Sequence, residues 1–513
     1  MHSLRKKPFS AKQKKAQIQA KRARKRDDAE NDDADWDFRP KPQESATASD
    51  AMTEQQPSIP KKGLPATAAV GSDGRRVNKL TSQFDKLSRA DIEANKQCSM
   101  QPLHRLSGPD GLTMSFDDAY SPDVDIPVRP SWSYGESREA LERREERAYA
   151  AWLDKMDSLR DSVSLYERNL EVWRQLWRVV EISDVLLMVV DIRHPVLHFP
   201  PSLYRFITET TAKPLVVVLN KTDLVAESTV RAWKLYFKQQ FPSVVLTSFC
   251  CYRDDSAAAM LSDLNLADLK LKTTKHRRRT YDSTLVGDLF AACRQVCDTH
   301  KRSLVDWDAL IARYKDQQPT AAAADDNDDD DEESDDDGAD GPPVQENSEG
   351  ANDRSKEAEG HAEAVSSRYV TLGMVGHPKV GKSTVINSIM GRTVVSTSRT
   401  PGHTKHFQTI HVTPTLRLCD CPGLVFPCVV DRPLQVLAGL YNIAQVQEPY
   451  SSVQYLAERV PVEKILNLRI PEQYVPKSGA AAQQWSAWAI CEAFAIDRGF
   501  YTSKAARPDV YRA

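Results

Sequence analysis

Nine consecutive residues, Gly376, His377, Pro378, Lys379, Val380, Gly381, Lys382, Ser383 and Thr384, set two glycines around a short turn and follow them with a lysine and hydroxyls. Glycines so placed let backbone N–H groups turn inward, so the loop can cradle the oxygens of a phosphate chain. Lys382 would then reach the β and γ phosphates, and the Ser383 hydroxyl would ligate Mg²⁺. A second cluster, Asn220, Lys221, Thr222 and Asp223, suits recognition of a base. Guanine offers two adjacent donors, its ring imino and exocyclic amino groups, and one carboxylate can accept both; Asp223 is the candidate for that bidentate contact. Asn220 would hold the loop and the purine edge, and the Lys221 stem would cover the ring face. Ser248, after Thr247, is placed to bring a backbone N–H to the guanine carbonyl oxygen. A third cluster runs from Asp420 to Gly423. Asp420 can hold a Mg²⁺-bound water while the Gly423 N–H meets the γ phosphate, so the segment would sense whether that phosphate is present. Between the first and third clusters, Thr404 is the candidate for a second hydroxyl on Mg²⁺, with Thr400 as the alternative. His403 lies beside Thr404, but phosphoryl transfer relies on positioning and electrostatics more than on a loop histidine.

Such groups act together only if strands and turns converge them. Asp184 to Asp191 is a continuous apolar run of strand length, as a parallel strand covered on both faces requires, and Pro214 to Leu219 is another. Residues 199–212 leave room for a crossover helix between them. A third short strand, Val244 to Leu246, follows a helical stretch near 229–240. The pattern resumes at Tyr369 to Val375, which leads into Gly376, and Thr384 to Met390 has helical spacing: strand, loop and helix, the setting a phosphate-binding loop needs. Thr415 to Cys419 reads as the strand before Asp420. The expected fold is therefore α/β, the doubly wound, mostly parallel sheet of the P-loop NTPases. Upstream, residues 138–180 read as helical, with Trp173 and Trp177 as core anchors.

The chain has 513 residues, more than one ordinary domain needs, so several folded units and tails are expected. Its net charge of -3 averages two opposed blocks and is the wrong quantity to read. Residues 5–26 hold eleven lysines and arginines without one acidic residue, a block that seeks a polyanion such as RNA or a nuclear-import receptor. Residues 320–366 form an acidic, low-complexity linker that cannot offset its own ordering entropy. The divisions read from the sequence are a basic and polar tail (1–64), a largely irregular segment (65–137), two α/β segments (138–319 and 367–431) around that linker, and a helical C-terminal segment (432–513). Helical spacing from Ala505 still runs at Ala513, so the sequence reads as a fragment or a short variant. Lys275 to Arg279 could contact RNA phosphates or pair with the acidic linker. No apolar run reaches the ~20 residues of a membrane span and the first residues lack a secretory pattern, which points to the cytosol or nucleus. Nine scattered cysteines suit reduced thiols, and no four converge as zinc ligands.

An ordinary GTPase runs from the phosphate loop through the switch threonine and Asp-x-x-Gly to Asn-Lys-x-Asp and a serine loop; here the last two come first. That order, with Asp191 to Pro195 opening the sheet, resembles the circularly permuted GTPases of ribosome assembly. The basic start Lys6 to Lys15 and the segments Trp173 to Arg178 and Leu418 to Leu424 carry the same resemblance. It implies GTP and GDP as ligands with Mg²⁺, hydrolysis to GDP and phosphate as a conformational switch, and ribosomal RNA or a pre-ribosomal particle as partner. It further implies a monomer in the nucleus or nucleolus, shuttling to the cytoplasm, with import through residues 5–26. Two positions depart from the common pattern. Leu424 stands where many GTPases have a water-orienting glutamine, so hydrolysis should be slow without an activating partner. Lys379 stands where similar GTPases often have an asparagine that helps hold potassium; its ammonium either supplies a tethered charge in place of the ion or points to solvent.

Overall fold

The computed structural model describes residues 80, 82–106, 111, 113–159, 162–252, 281, 284–315, 369–397, 402–471, 484–502 and 507–512. The basic block 5–26 and the rest of 1–64, the run 275–279, the linker 320–366 and Thr400 lie outside the described residues.

Six strands form one sheet: β1 (Val185–Asp191), β2 (Leu215–Asn220), β3 (Val245–Ser248), β4 (Val370–Val375), β5 (Gln408–Thr413) and β6 (Leu416–Asp420). They lie in the order β3-β2-β1-β4-β6-β5, parallel except for the β5–β6 pair. β1, β2 and β4 are buried at every residue, which is why β1 and β2 read as apolar runs up to their last residue rather than as alternating ones; β4 also buries Thr371. Alternate residues serve opposite layers. Leu186, Met188 and Val190 pack with Trp173, Trp177 and Phe199, whereas Val185, Leu187 and Val189 pack with Phe290, Trp307 and Val385. The pairing of β1 with β4 joins the two segments that the acidic linker separates in sequence.

The helical pattern over 138–180 proves to be two helices, Arg138–Ser158 and Leu170–Ile182. The chain between them gives its backbone to other partners: the Ser164 and Glu167 N–H groups donate to the Cys428 and Val425 carbonyls, both at 2.9 Å. Asn169 then caps the second helix by accepting from the Glu171 N–H, and Trp173 and Trp177 are buried as expected. The crossover between β1 and β2 is not one helix but short turns, Pro195–His198 and Pro201–Arg205, followed by a wide turn at Phe206–Thr210. Prolines 195, 200 and 201 cannot sit inside a longer helix, since each removes a donor.

One reading is refined and another needs correction. Within the stretch expected to be largely irregular, Arg89–Ser99 is a helix, opened by a reciprocal cap between Ser88 and Asp91. It packs on the C-terminal helices Tyr450–Arg459 and Ala487–Arg498; Asn95 Nδ2 donates to Glu448 Oε1 (3.0 Å), just ahead of the first of them, and the Leu103 N–H donates to the Trp485 carbonyl (2.9 Å), just ahead of the second. A polar segment is ordered here by distant partners. At the other end, residues 507–512 form no helix but a bridge and a turn, with Tyr501 paired to Pro508. No helix among the described residues is long and apolar enough to cross a membrane.

Candidate nucleotide site

The site forms at the carboxyl ends of β2, β1, β4 and β6, where open α/β sheets bind ligands. Gly376 leaves β4 with φ +138°, and a Cβ there would lie 2.7 Å from the Val189 carbonyl oxygen, so only glycine lets the loop start against β1. Gly381 has φ +102°, and no side chain caps the helix Lys382–Met390 that it opens. Its first N–H groups therefore suit an anion. Lys382 is buried and curls back over the loop, donating to the carbonyls of Gly376 (3.0 Å) and His377 (2.7 Å). Burial lowers its pKa, opposed by the charges of Asp420 and Cys421. Val380 and Pro378 are buried, so these positions can offer a ligand only backbone, and Thr384 lies half-buried in the first turn.

Three predicted metal ligands meet. Ser383 Oγ donates to Asp420 Oδ2 at 2.7 Å and lies 3.4 Å from Thr404 Oγ1. Asp420 Oδ1 is buried with no hydrogen-bond partner among the described residues. Burial pushes the Asp420 pKa up, while Ser383 and Lys382 pull the other way. A carboxylate with one orphaned oxygen beside two hydroxyls is an all-oxygen donor set that fits Mg²⁺. His403 is elsewhere, with Nε2 2.8 Å from Ser396 Oγ at the surface.

Gly423 comes against the phosphate loop: a Cβ on it would stand 2.6 Å from Pro378 Cα and 3.1 Å from Lys382 Nζ. The next residue, Leu424, is 1% exposed and packed in the core, so it does not face the site.

The base-recognition cluster sits on the same rim. Asn220 is buried, and its Nδ2 donates to the Val380 carbonyl at 2.7 Å, a bond spanning 160 residues of sequence. Lys221 adopts a left-handed backbone (φ +63°), and Asp223 follows, half-buried, in the tight turn Thr222–Leu224. The Lys221 ammonium is tied to the Lys379 carbonyl (2.6 Å) and to Asp191 (2.7 Å). The Thr222 hydroxyl donates to the Phe249 carbonyl, which locks this turn to the strand end carrying Ser248. Ser248 Oγ is buried with no hydrogen-bond partner among the described residues, and the Phe249 N–H is taken by the Leu219 carbonyl.

Sequence reasoning did not foresee two groups. Asn387, within the helix after the loop, accepts from the Val394 and Val395 N–H groups and donates to the Val395 carbonyl, which holds the chain leading toward Thr404. A polar residue on an apolar helix face was its only signal. His377 and His198 are buried with rings 5.5 Å apart, behind the phosphate loop and against Phe426. Nothing in their spacing announced the pair.

Known proteins resemble this chain over nearly its whole length. The family described as 50S ribosome-binding GTPase matches residues 371–463. The guanine nucleotide-binding protein-like 1 proteins of Pongo abelii and Homo sapiens are each 40% identical over 535 residues, covering 99% of this chain and 82% of theirs. The large subunit GTPase 1 of Saccharomyces cerevisiae is 30% identical, over 83% of this chain and 63% of its own. A GDP-bound structure of YlqF aligns with 66% of this chain and 89% of that one, at 15% identity and a TM-score of 0.30. With the Asn220–Asp223 segment preceding the Gly376–Ser383 loop, the chain belongs to the guanine nucleotide-binding protein-like 1 family of circularly permuted, GTP-binding GTPases.

Proposed function

We propose that the chain hydrolyses GTP to GDP and phosphate as a conformational switch on a ribosomal or related RNA particle. The observation that carries this is the meeting of Ser383, Thr404 and Asp420, with Gly423 pressed on the phosphate loop. Asp223 would read the guanine edge, Asn220 and Lys221 would hold the base-side turn on the loop, and a backbone N–H near Ser248 would meet the guanine carbonyl. The loop from Gly376 to Ser383, with Lys382, would hold the phosphates. Mg²⁺ on Ser383, Thr404 and Asp420 would neutralise phosphate charge. Without the γ phosphate, Gly423 loses its partner, and the segment that follows is released from it. That segment is well placed to carry the signal: Val425 and Cys428 accept from Glu167 and Ser164, and Gln435 bonds both backbone groups of Leu165.

Two residues bear on rate. The burial of Leu424 supports slow intrinsic hydrolysis completed by an activating partner. Lys379 has a left-handed backbone (φ +58°), unusual for a lysine and ordinary for the asparagine it replaces. Its Cδ lies 3.4 Å from where a Cβ on Gly439 would sit, and burial first, then Lys221, lowers its pKa. A half-buried cation beside the loop supports the tethered charge in place of potassium. Partnership with ribosomal RNA and nuclear import through residues 5–26, to the nucleus or nucleolus, belong to the same proposal, as does a monomer.

The burial of Leu424 also favours a second reading, a nucleotide-sensing scaffold with negligible turnover. Single-turnover hydrolysis with and without ribosomal subunits separates the two. Acceleration by a subunit supports the switch; a rate that stays at the uncatalysed level in both cases supports the scaffold.

A further inference from the structure

The segment Asp191 to Pro195 leads out of β1, and no role in nucleotide binding has so far been attached to it. Its first residue ends β1, and the register sets Asp191 opposite Asn220 at the end of β2, one residue short of Lys221. The Asp191 carboxylate is 3% exposed and fully engaged. Oδ1 accepts from the Arg193 backbone N–H and Nε, both at 3.0 Å, and Oδ2 accepts from Arg193 Nη2 and Lys221 Nζ, both at 2.7 Å. Burial works to raise its pKa, but the bonds from Arg193 and Lys221 prevail and hold it well below the usual carboxylate range.

Lys221 is thereby anchored twice. One of its three donors goes to Asp191, and another to the Lys379 carbonyl in the phosphate loop. A flexible lysine stem has no fixed plane of its own; two anchors on its ammonium give it one. Burial and then the charge of Lys221 lower the Lys379 pKa, so the two ammonium groups repel. Asp191 is thus the group that keeps Lys221 seated against a neighbouring positive charge. Arg193 is 45% exposed on its outer side and shares that carboxylate.

We propose that Asp191 is a positioning residue for guanine-nucleotide affinity, acting through Lys221 by holding its stem where the purine ring face must lie and its ammonium on the phosphate loop. This rests on the reading of the site as a guanine-nucleotide site. Arg193 buttresses the carboxylate without being needed for the clamp. The Asp223 contact with the base edge is untouched by it, so Asp191 governs how tightly a purine nucleotide is held and not which purine is preferred.

The test is a double-mutant cycle on the full chain, read by titration of fluorescent GDP with IDP as competitor and by thermal melting. Asp191→Asn is expected to weaken GDP roughly 10- to 100-fold, to leave the GDP-to-IDP ratio within about twofold, and to add almost nothing in a Lys221→Met background. Arg193→Ala is expected to change GDP binding less than about threefold. If Asp191→Asn does not fold, Asp191→Glu in the same two backgrounds reads the same coupling, because the longer side chain misplaces the carboxylate while keeping its charge. Equal losses with and without the Lys221 side chain would overturn the proposal, as would a larger loss in Arg193→Ala than in the Asp191 variant. Wild-type protein that ignores guanine nucleotides would refute the underlying reading of the site, an outcome distinct from wild-type binding with an unaffected Asp191 variant.

Discussion

Replacing Gly423 with alanine puts a methyl group where the structure has no room. Its carbon would stand 2.6 Å from Pro378 Cα and 2.8 Å from Pro378 N, against a normal carbon contact of ~3.5–4.0 Å. The clash is with backbone, in a loop held at one end by β4 and at the other by the helix Lys382–Met390, so no rotamer change relieves it. Either the loop or the Asp420–Gly423 segment must yield by about 1 Å, and overpacking of this kind costs about 1–3 kcal/mol. The displacement draws the Gly423 N–H away from the γ phosphate, where a hydrogen bond to a charged group contributes about 1.5–3 kcal/mol. GDP makes no such contact. Gly423→Ala is therefore expected to weaken a non-hydrolysable GTP analogue about 10- to 100-fold relative to wild type, while GDP shifts only a few-fold. Parallel titrations with the two fluorescent nucleotides, alongside a melting curve to confirm folding, provide the assay. Equal losses for GDP and the GTP analogue would refute the reasoning, since Gly423 would then matter to the phosphate loop as a whole and not to the γ phosphate.

Two further outcomes follow from the same geometry. If the Lys379 ammonium replaces a potassium ion, GTP turnover should be the same in sodium and potassium salts, and Lys379→Asn, which suits the left-handed backbone, should bring potassium stimulation back; a large potassium effect in the wild type contradicts this. Burial holds the His198 pKa at about 3 and that of His377 well below 6.5, so both stay neutral when folded at pH values where an unfolded histidine is protonated. Their contribution to stability is fully present above the unfolded value and is lost as the pH falls from there through the folded one. For His198 this amounts to about 1–2 kcal/mol between pH ~7.5 and ~5.5, read from urea melts, and His377 acts in the same direction; His198→Leu should reduce the dependence, and a flat profile would count against the buried pair.

Much of the fold was legible because its central strands are covered on both faces. β1 and β2 carry apolar runs up to their last residue, β4 is apolar but for Thr371 and Gly373, and the boundaries read from all three fall within a residue of the observed ones. β5 was not visible: it is an edge strand, from Gln408 to Thr413, with exposed and half-buried residues and no apolar run to mark it. The helix Arg89–Ser99 was hidden for a related reason, since its polar sequence is ordered by bonds to residues more than 350 positions away. In the site, the motifs fixed which groups would meet, and Ser383, Thr404 and Asp420 do meet. Directions were not legible. That Leu424 turns into the core, or that Lys221 reaches Asp191, depends on strand register and on a left-handed turn, neither of which spacing encodes.

The central claim is that two segments in permuted order build one guanine site, and Asp223→Asn tests it most directly. Wild-type protein should bind GDP and ignore ADP; the variant, having lost one of two acceptor oxygens and gained a donor facing guanine's own donors, should lose GDP by ~100-fold or more while gaining affinity for XDP, whose carbonyl replaces the amino group. Retention of GDP binding by the variant, with no gain for XDP, would show that Asp223 does not read the base and that the phosphate loop works without it.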